Sequence, residues 1–344
     1  MAGLMSVKEE VLKILIENKE TYLSGEEIAN AIGVSRTAVW KAIKMLNDEG
    51  YKISGMNKMG YRMCKGDDVL SISGIMKFLD QNLADKIKIE IKKTITSTNT
   101  VLKQKAFDGE KEWSILIAQE QTAGRGRMNR KFYSPSDTGI YMSILLRPEC
   151  PVTQALMITT MTAVAVSEAL DEVFDVETKI KWVNDIYYDN KKICGILTEA
   201  SVDVETSKLI YAVVGIGINV KEPKDSFPHE IKDIAGAMAE LEPQNEVNDN
   251  LRNRIIAKII QKMYDNYEDL DRHKFMKVYK DKSMLIEKDV YILSDEAKEI
   301  LHVLDIDDEA GLVVKHQDGS IEHLTSGEVS VRINDERTNY ANRN

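Results

Sequence analysis

The sequence predicts an α+β protein of several domains, and three observations carry that prediction. A chain of 344 residues exceeds one ordinary domain of about 100 to 200 residues. Its local pattern changes twice: short amphipathic helices come first, then long helices alternating irregularly with strands, then closely spaced strands alone. The central alternation contains hairpin-like strands, which predicts a mixed sheet with helices on one side. Hydrophobic residues make up 43% and charged residues 30%, enough for buried cores and too evenly mixed for a disordered chain, a collagen repeat or a membrane-embedded bundle.

The first domain is expected over residues 1–63. VKEEVLKILIENK and LSGEEIANAIG read as helices, and VSRTAVWKAIKMLNDEG as a third. Ser24 with Glu27 forms a capping-box pattern, and Gly33 stops the second helix before Ser35 opens the next. In the third helix Val39, Ile43 and Leu46 face inward, leaving Ser35, Arg36, Thr37, Trp40, Lys41 and Lys44 on outward or flanking positions suited to a major groove and its phosphates. YKISGMNKMGYRM reads as two short strands around a loop with Lys58, the wing of a winged helix-turn-helix. The net charge of −10 argues against indiscriminate coating of nucleic acid. Locally, however, Arg36, Lys41, Lys44, Lys52, Lys58 and Arg62 face only Asp48 and Glu49. Helix, turn, basic face and wing together point to double-stranded DNA; the bland alternative is a small packing module with solvated lysines.

A polar stretch, CKGDDVLSIS, opens the second domain, expected over 64–286. Its strands read as WSILIAQ, IYMSILLRP, TKIKWVN, KICGILTEA and LIYAVVGIGINV, with helices around Asn99 to Ala106, Thr153 to Val173 and Leu251 to Leu270. The last has Leu251, Ile255, Ile259 and Met263 every four residues, a core stripe. A third domain is expected over 287–333, where turns at DDEAG and QDG separate short strands as in a small SH3-like β-barrel. Residues 334–344 read as a polar tail.

Three segments of the central domain carry chemistry. In QEQTAGRGRMNRKFYSP, Arg125, Arg127, Arg130 and Lys131 crowd a loop with Gly124 and Gly126. Backbone there can approach an anion, and guanidinium groups can fork onto phosphate or carboxylate. The loop is neither a Walker P-loop nor a dinucleotide fingerprint, since Asn129 stands where GxGxxG needs its third glycine. Alone, it could equally be a flexible surface segment or an RNA-binding patch. In KWVNDIYYDNKKICGILTEA, Lys181, Asn184 and Asp185 end one strand and Lys192 and Gly195 begin the next. Asp185 suits a Mg²⁺ ligand, and Lys192 suits a movable charge facing an α-phosphate, or both are ordinary hairpin ions. In VVGIGINV, Asn219 follows Gly215 and Gly217, where small residues leave room for a ligand. Cys64, Cys150 and Cys194 have no CxxC spacing and read as idle thiols. The N-terminus is broken by charges before signal-peptide length, and no apolar run reaches about 18 residues, so a cytoplasmic location is expected.

In order and approximate spacing, QTAGRGR, KWxND with KKxxGIL, and GIGINV resemble the bifunctional biotin-protein ligase and biotin operon repressor family. The resemblance spans about residues 8–333. It implies a central biotin/lipoate ligase-like catalytic domain, with ATP, biotin and Mg²⁺ as ligands. Ser97, Thr98 and Asn99 match the biotin-binding SxN segment, Gln121 the ligand glutamine, and Gly124, Arg125, Gly126 and Arg127 the loop over biotin and its adenylate. Lys192 matches the ligand and catalytic lysine, with Gly195 beside it, and Asp185 the acidic residue near metal and phosphate. Arg127 joins these two as catalytic. Arg130, Lys181, Asn184 and Asn219 fall in the nucleotide region. Asn129 replaces a usual glycine of the loop and Val183 a usual proline of KWPND.

The chemistry so implied is attack of the biotin carboxylate on the α-phosphate of ATP, then transfer from biotinyl-5'-adenylate to a lysine of a biotin carrier protein. The resemblance also implies an adenylate-bound homodimer that represses through a palindromic operator. Two rivals differ in class: a biotin-sensing repressor without efficient ligase activity, and a lipoate or octanoyl transferase, which the GRGR loop and outer domains disfavour.

Overall fold

The computed structural model describes residues 6–18, 21–48, 51, 53–57, 59–63, 68–238, 250–270, 273–292, 299–325 and 331–333. Two compact units make up the chain: Met1–Leu79 with Glu242–Ala257, and Asp80–Leu241 with Lys258–Asn344.

The first unit opens with three helices, α1 (Val7–Glu17), α2 (Gly25–Ile32) and α3 (Arg36–Asp48). The expected capping box closes α2: Glu27 N donates to Ser24 Oγ at 3.1 Å and Ser24 N to the Glu27 carboxylate at 2.7 Å. An unanticipated second box, Ser6 with Glu9, opens α1. Gly33 ends α2 at φ +72°, a left-handed position that glycine occupies without strain. Val11, Leu15, Ile28, Val39, Ile43 and Leu46 fill the core. Strands β1 (Ile53–Met56) and β2 (Gly60–Met63) form the wing, antiparallel with Ile53 opposite Met63. Gly60 is required there: at φ +101° its added Cβ would lie 2.0 Å from the Leu23 carbonyl oxygen.

This unit runs beyond the seam expected at residues 63 and 64. After the wing comes α4 (Ile72–Met76). Asp68 and Ser71 are bonded to residues far away in sequence, at the start of the long helix Leu251–Glu268. Arg252 Nε donates to Asp68 Oδ2 at 2.8 Å, and Ser71 N donates to Asn253 Oδ1 at 3.0 Å. The Arg252 and Asp68 side chains are 5% and 1% exposed, a depth at which neither charge is tolerated without the other.

The second unit is built on a seven-stranded sheet. In chain order it contains α5 (Gln81–Ala84), β3 (Lys88–Ile95), α6 (Thr98–Phe107), β4 (Ser114–Gln121), β5 (Gly139–Leu146), α7 (Ala155–Phe174), β6 (Lys179–Lys181), β7 (Asp185–Tyr188), β8 (Lys191–Asp203) and β9 (Lys208–Asn219). The long helix α8 (Leu251–Glu268), which belongs to this unit from Lys258 on, and α9 (Phe275–Asp281) follow. The sheet order is β3-β4-β5-β9-β8-β7-β6, parallel between β3 and β4 and antiparallel elsewhere, hence mixed as expected.

Helices lie on both faces rather than one. Leu145, Val213 and Glu199 share a face, since they are paired across β5, β9 and β8, and Leu102 and Ala106 of α6 pack there against Leu116, Leu145 and Val213. The neighbouring residues point the other way, and Thr198 among them bonds to Thr159 of α7 at 2.7 Å. The physical reason is that every residue of β5 is buried, so this strand needs cover on both sides.

The C-terminal strands β10 (Asp289–Ile292), β11 (Ile300–Ile306), β12 (Leu312–Lys315), β13 (Ile321–Leu324) and β14 (Val331–Ile333) form a five-stranded antiparallel sheet in the order β13-β12-β11-β10-β14. They stand where the sequence pattern calls for a small β-barrel. This sheet belongs to the second unit, anchored by Trp182 Nε1, which donates to the Ala310 carbonyl at 2.8 Å. Among the described residues no helix is long and apolar enough to cross a membrane.

Candidate functional site

A cavity of about 370 Å³ opens on the α6 face of the seven-stranded sheet. Its floor is built from β8 and β9, and its first wall from the start of α6. Ser97 caps that helix, its hydroxyl accepting from Thr100 N. Ser97, Thr98 and Asn99 are 2%, 4% and 2% exposed, so their polar groups must be bonded within the protein. They are: Gln121 Oε1 accepts from Thr98 N at 2.8 Å and Thr98 Oγ1 at 3.2 Å. Ser143 Oγ lies 2.7 Å from Thr98 Oγ1 and 2.6 Å from Asn99 Oδ1. Asn99 Nδ2 donates to the Leu197 carbonyl at 3.0 Å.

The basic loop makes the second wall. Gly126 N donates to the Arg130 carbonyl at 2.7 Å and Phe132 N to the Gly124 carbonyl at 2.9 Å, which folds the loop back on itself. Gly124 serves this fold rather than the cavity: a Cβ there would sit 2.4 Å from the Phe132 carbonyl. Asn129 has φ +56°, and asparagine is among the few side chains that adopt this left-handed conformation readily. That explains why it can stand in for the usual glycine. Arg125, Gly126, Arg127 and Arg130 line the cavity. Arg127 reaches inward, its NH1 3.2 Å from Asn184 Oδ1; burial lowers its pKa, and the nearby Asp185 charge works against that shift.

The third wall is the β6–β7–β8 meander. Lys192 Nζ lies 2.6 Å from Asp185 Oδ1, an ion pair by distance in which Oδ1 is buried and lacks hydrogen-bond alignment. Asn184, Asp185, Lys192, Gly195 and Asn219 all line the cavity. The Lys192 backbone is bridged to Ala235 through Lys192 N to the Ile234 carbonyl at 2.7 Å, and Asn219 Nδ2 donates to the Gly236 carbonyl at 3.0 Å. Lys181 differs: it pairs with Asp185 across β6 and β7, its ammonium lies 5.9 Å from the Tyr187 ring, and it is absent from the cavity lining.

Gly215 and Gly217 do leave room, but side chains of this chain fill it. A Cβ on Gly215 would meet Asn99 Oδ1 at 2.2 Å, and one on Gly217 the Phe132 ring at 2.5 Å. Phe132, together with Phe227, Ile231 and Ile234, gives the cavity apolar surface that the motif reading does not include. The signal for Phe132 was an aromatic directly after the basic run; the other three lie in a segment with no periodic pattern. Cys150 and Cys194 are buried free thiols, and burial raises the Cys194 pKa far above its ordinary value. Cys64 lies outside the described residues.

In the first unit, Ser35, Arg36, Thr37, Trp40, Lys41 and Lys44 are exposed along α3 while Val39, Ile43 and Leu46 are buried. Ser35 also caps that helix, accepting from Ala38 N at 3.2 Å. A groove lined by Arg36, Thr37 and Trp40 on one side and by Met56, Asn57 and Tyr61 of the wing on the other follows this face. Lys58 and residues 334–344 lie outside the described residues.

Fold and site together define a protein ligase that carries a helix-turn-helix module: residues 91–219 match the biotin/lipoate A/B protein ligase family and residues 7–62 an HTH domain. The bifunctional ligase/repressor BirA of Bacillus spizizenii is 36% identical over 235 residues, covering 68% of this chain and 71% of that protein. Its namesake in Escherichia coli is 26% identical over 321 residues, covering 92% and 95%. Biotin protein ligase from Aquifex aeolicus, solved in complex with biotin and ATP, is 28% identical with a TM-score of 0.59, covering 72% of this chain and 99% of that one. The chain belongs to the bifunctional ligase/repressor family.

Proposed function

We propose that this protein activates biotin with ATP and transfers it to a lysine of a biotin carrier protein, and that the adenylate-bound form represses transcription as a dimer. The observation that carries the reading is the convergence of Arg125, Arg127, Arg130 and Lys192 on one cavity that also has apolar surface from Phe132. A bicyclic, weakly polar acid with a short chain suits the apolar part. The cations suit the phosphates.

In the first half-reaction a carboxylate oxygen of biotin forms a bond to the α-phosphorus, and the bond to the bridging oxygen of the β-phosphate breaks, releasing pyrophosphate. Two anions must approach each other, so the chain's task is to hold them together and offset their charge. Lys192 and Arg127 are the groups assigned to the α-phosphate and the acyl oxygen, with Asn184 fixing the Arg127 guanidinium. In the second half-reaction the neutral amine of the acceptor lysine attacks the acyl carbon, the bond to the phosphate oxygen breaks, AMP departs and the amine loses its proton.

Among the described residues Asp185 is the one carboxylate lining the cavity, and no cluster of three or more His, Cys, Asp or Glu could hold a metal. Such a donor set fits Mg²⁺ held largely by substrate phosphates, with Asp185 as protein ligand. Bound there, Mg²⁺ would offset charge on the triphosphate. Arg130, Asn184 and Asn219 are assigned to the nucleotide side, and Lys181 to a supporting role outside the cavity.

The exposed face of α3 and the wing are assigned to a half-site of operator DNA, two copies of the chain reading a palindrome. The site of action is the cytoplasm. Retention of both Lys192 and Asp185 favours a ligase over a sensor that only binds biotin. Deleting residues 1–63 tests the division of labour: transfer to the carrier should persist while operator binding disappears. Specific operator binding by the truncated protein would refute it.

A further inference from the structure

Tyr279 lies on α9, fully buried, and none of the sequence motifs includes it. A phenylalanine would fill the same apolar space, so the hydroxyl is the part that needs a reason. Taking it out of water costs free energy unless it is bonded. Its bond is to the Val183 carbonyl, to which it donates at 3.0 Å. Burial first, and then the negative charge of Asp185, raise the Tyr279 pKa well above its ordinary value, with Arg127 working against that shift. The phenol therefore keeps its proton and is a donor at neutral pH.

Val183 is where the donor is needed. It lies buried in the turn between β6 and β7, outside the ladder that pairs those two strands. The other groups of the turn have partners elsewhere. Trp182 Nε1 donates to the Ala310 carbonyl at 2.8 Å, the Asn184 carbonyl accepts from Ile196 N at 2.9 Å, and Asn184 Nδ2 donates to the Ile196 carbonyl at 2.7 Å. So β8 holds the Asn184 end of the turn, while α9, which packs against α7, holds the Val183 end. A carbonyl and the N–H that follows it share one rigid plane. Fixing the Val183 carbonyl therefore fixes the peptide that leads into Asn184 and Asp185, and these two line the cavity while Tyr279 does not.

We infer that Tyr279 is a positioning residue: through the Val183 carbonyl its hydroxyl sets the peptide that presents Asn184 and Asp185 to the nucleotide and its Mg²⁺. This rests on reading the cavity as the site of biotin activation. The residues assigned to biotin at the start of α6 and the end of β4 stand on other elements, so the contribution falls on ATP rather than on biotin.

The test uses the full chain and Tyr279→Phe, which removes one oxygen and keeps the ring. Pyrophosphate exchange gives KM for ATP and for biotin, and titration calorimetry gives Kd for biotin. Amide hydrogen exchange of the ligand-free protein follows β6, the turn and β7. The variant should raise KM for ATP about tenfold, equivalent to about 1.4 kcal/mol and the size of one lost hydrogen bond. KM and Kd for biotin should stay within about twofold. Amide exchange should quicken from β6 to β7 but not in β4 or β5. A hydroxyl that serves stability alone predicts otherwise: a lower urea midpoint with both KM values unchanged, or both raised alike. Either result, or unaltered amide exchange from β6 to β7, would overturn the proposal. So would a Tyr279→Phe protein that fails to fold, since the hydroxyl would then hold the whole unit rather than one turn. Absence of biotin-dependent pyrophosphate exchange in the wild type would overturn the reading of the cavity itself, and the role of Tyr279 with it. A normal wild type beside a variant with unaltered KM for ATP overturns only the role of Tyr279.

Discussion

Replacing Lys192 by methionine separates a working cation from an ordinary surface ion. Methionine keeps a long flexible stem and removes the charge. A surface lysine could be lost with a stability change of no more than about 0.5 kcal/mol and no effect on turnover. The structure sets a different expectation. Lys192 Nζ lies 2.6 Å from a buried oxygen of Asp185, and the two side chains are 30% and 21% exposed. Leaving that carboxylate without its ammonium should cost about 1–3 kcal/mol of stability, at the level of an unsatisfied buried acceptor. Adding Asp185→Asn should return most of that loss by removing the charge. Activity behaves differently. Loss of one donor to the charge developing at the α-phosphate typically costs about 2.7–4 kcal/mol, or about a hundred- to a thousandfold in rate. Biotin-dependent pyrophosphate exchange isolates this step from the acceptor, and urea unfolding follows stability in the same samples. The double variant should be stable and still inactive. Wild-type exchange in a folded Lys192→Met protein would refute the assignment and leave Arg127, the other cation lining the cavity beside Asn184, as the next candidate.

Three further outcomes are expected. Asp68→Ala leaves the Arg252 guanidinium buried without its carboxylate, so urea unfolding should show a loss of about 3–5 kcal/mol, much of it recovered by adding Arg252→Met; a loss below about 1 kcal/mol would mean that the pair contributes little. Gly215→Ala places a Cβ 2.2 Å from Asn99 Oδ1, so titration calorimetry should show biotin binding weakened at least about tenfold, against the unchanged affinity expected if the glycine merely leaves space. His316 is bonded by Glu322 and Glu299, in that order of effect, which raises its pKa above its ordinary value of 6.5. A raised pKa stabilises the folded form fully below about pH 6.5, and that contribution is lost as pH rises through the higher folded value. Hydrogen exchange in the C-terminal sheet should therefore quicken relative to the His316→Gln variant as pH rises above about 6.5, and identical pH profiles would refute the coupling.

Much of this was written locally in the chain. The Ser24–Glu27 box, the Gly33 stop and the Val39, Ile43, Leu46 stripe each depend on neighbours within a few residues, so the first three helices and the exposed face of α3 were legible. The site residues were legible for another reason: Arg125–Arg127 and Asp185–Lys192 sit in short segments whose residue types suggest their chemistry. What was hidden depends on distant pairing. The charges alternating through Lys88–Ile95 disguised β3, a half-exposed edge strand that pairs in parallel with β4. Asp68 and Arg252 stand 184 residues apart, so the bond that extends the first unit past its expected seam leaves no local mark. Glu199 has the same difficulty: within KICGILTEA nothing local marks it, because its partners Asn99, Lys103 and Arg125 all lie far away in sequence. Helix placement on both faces, finally, followed from the full burial of β5, which its run GIYMSILL permits but does not require.

The most direct test of the whole account is the intact mass of a purified biotin carrier domain after incubation with this protein, biotin and ATP. The account predicts that the carrier gains the mass of one biotinyl group on a single lysine, that AMP forms in equal amount, and that omitting ATP or biotin abolishes both. A folded protein that binds biotin and operator DNA yet leaves the carrier mass unchanged would contradict it, and would make the chain a biotin-responsive repressor rather than a ligase.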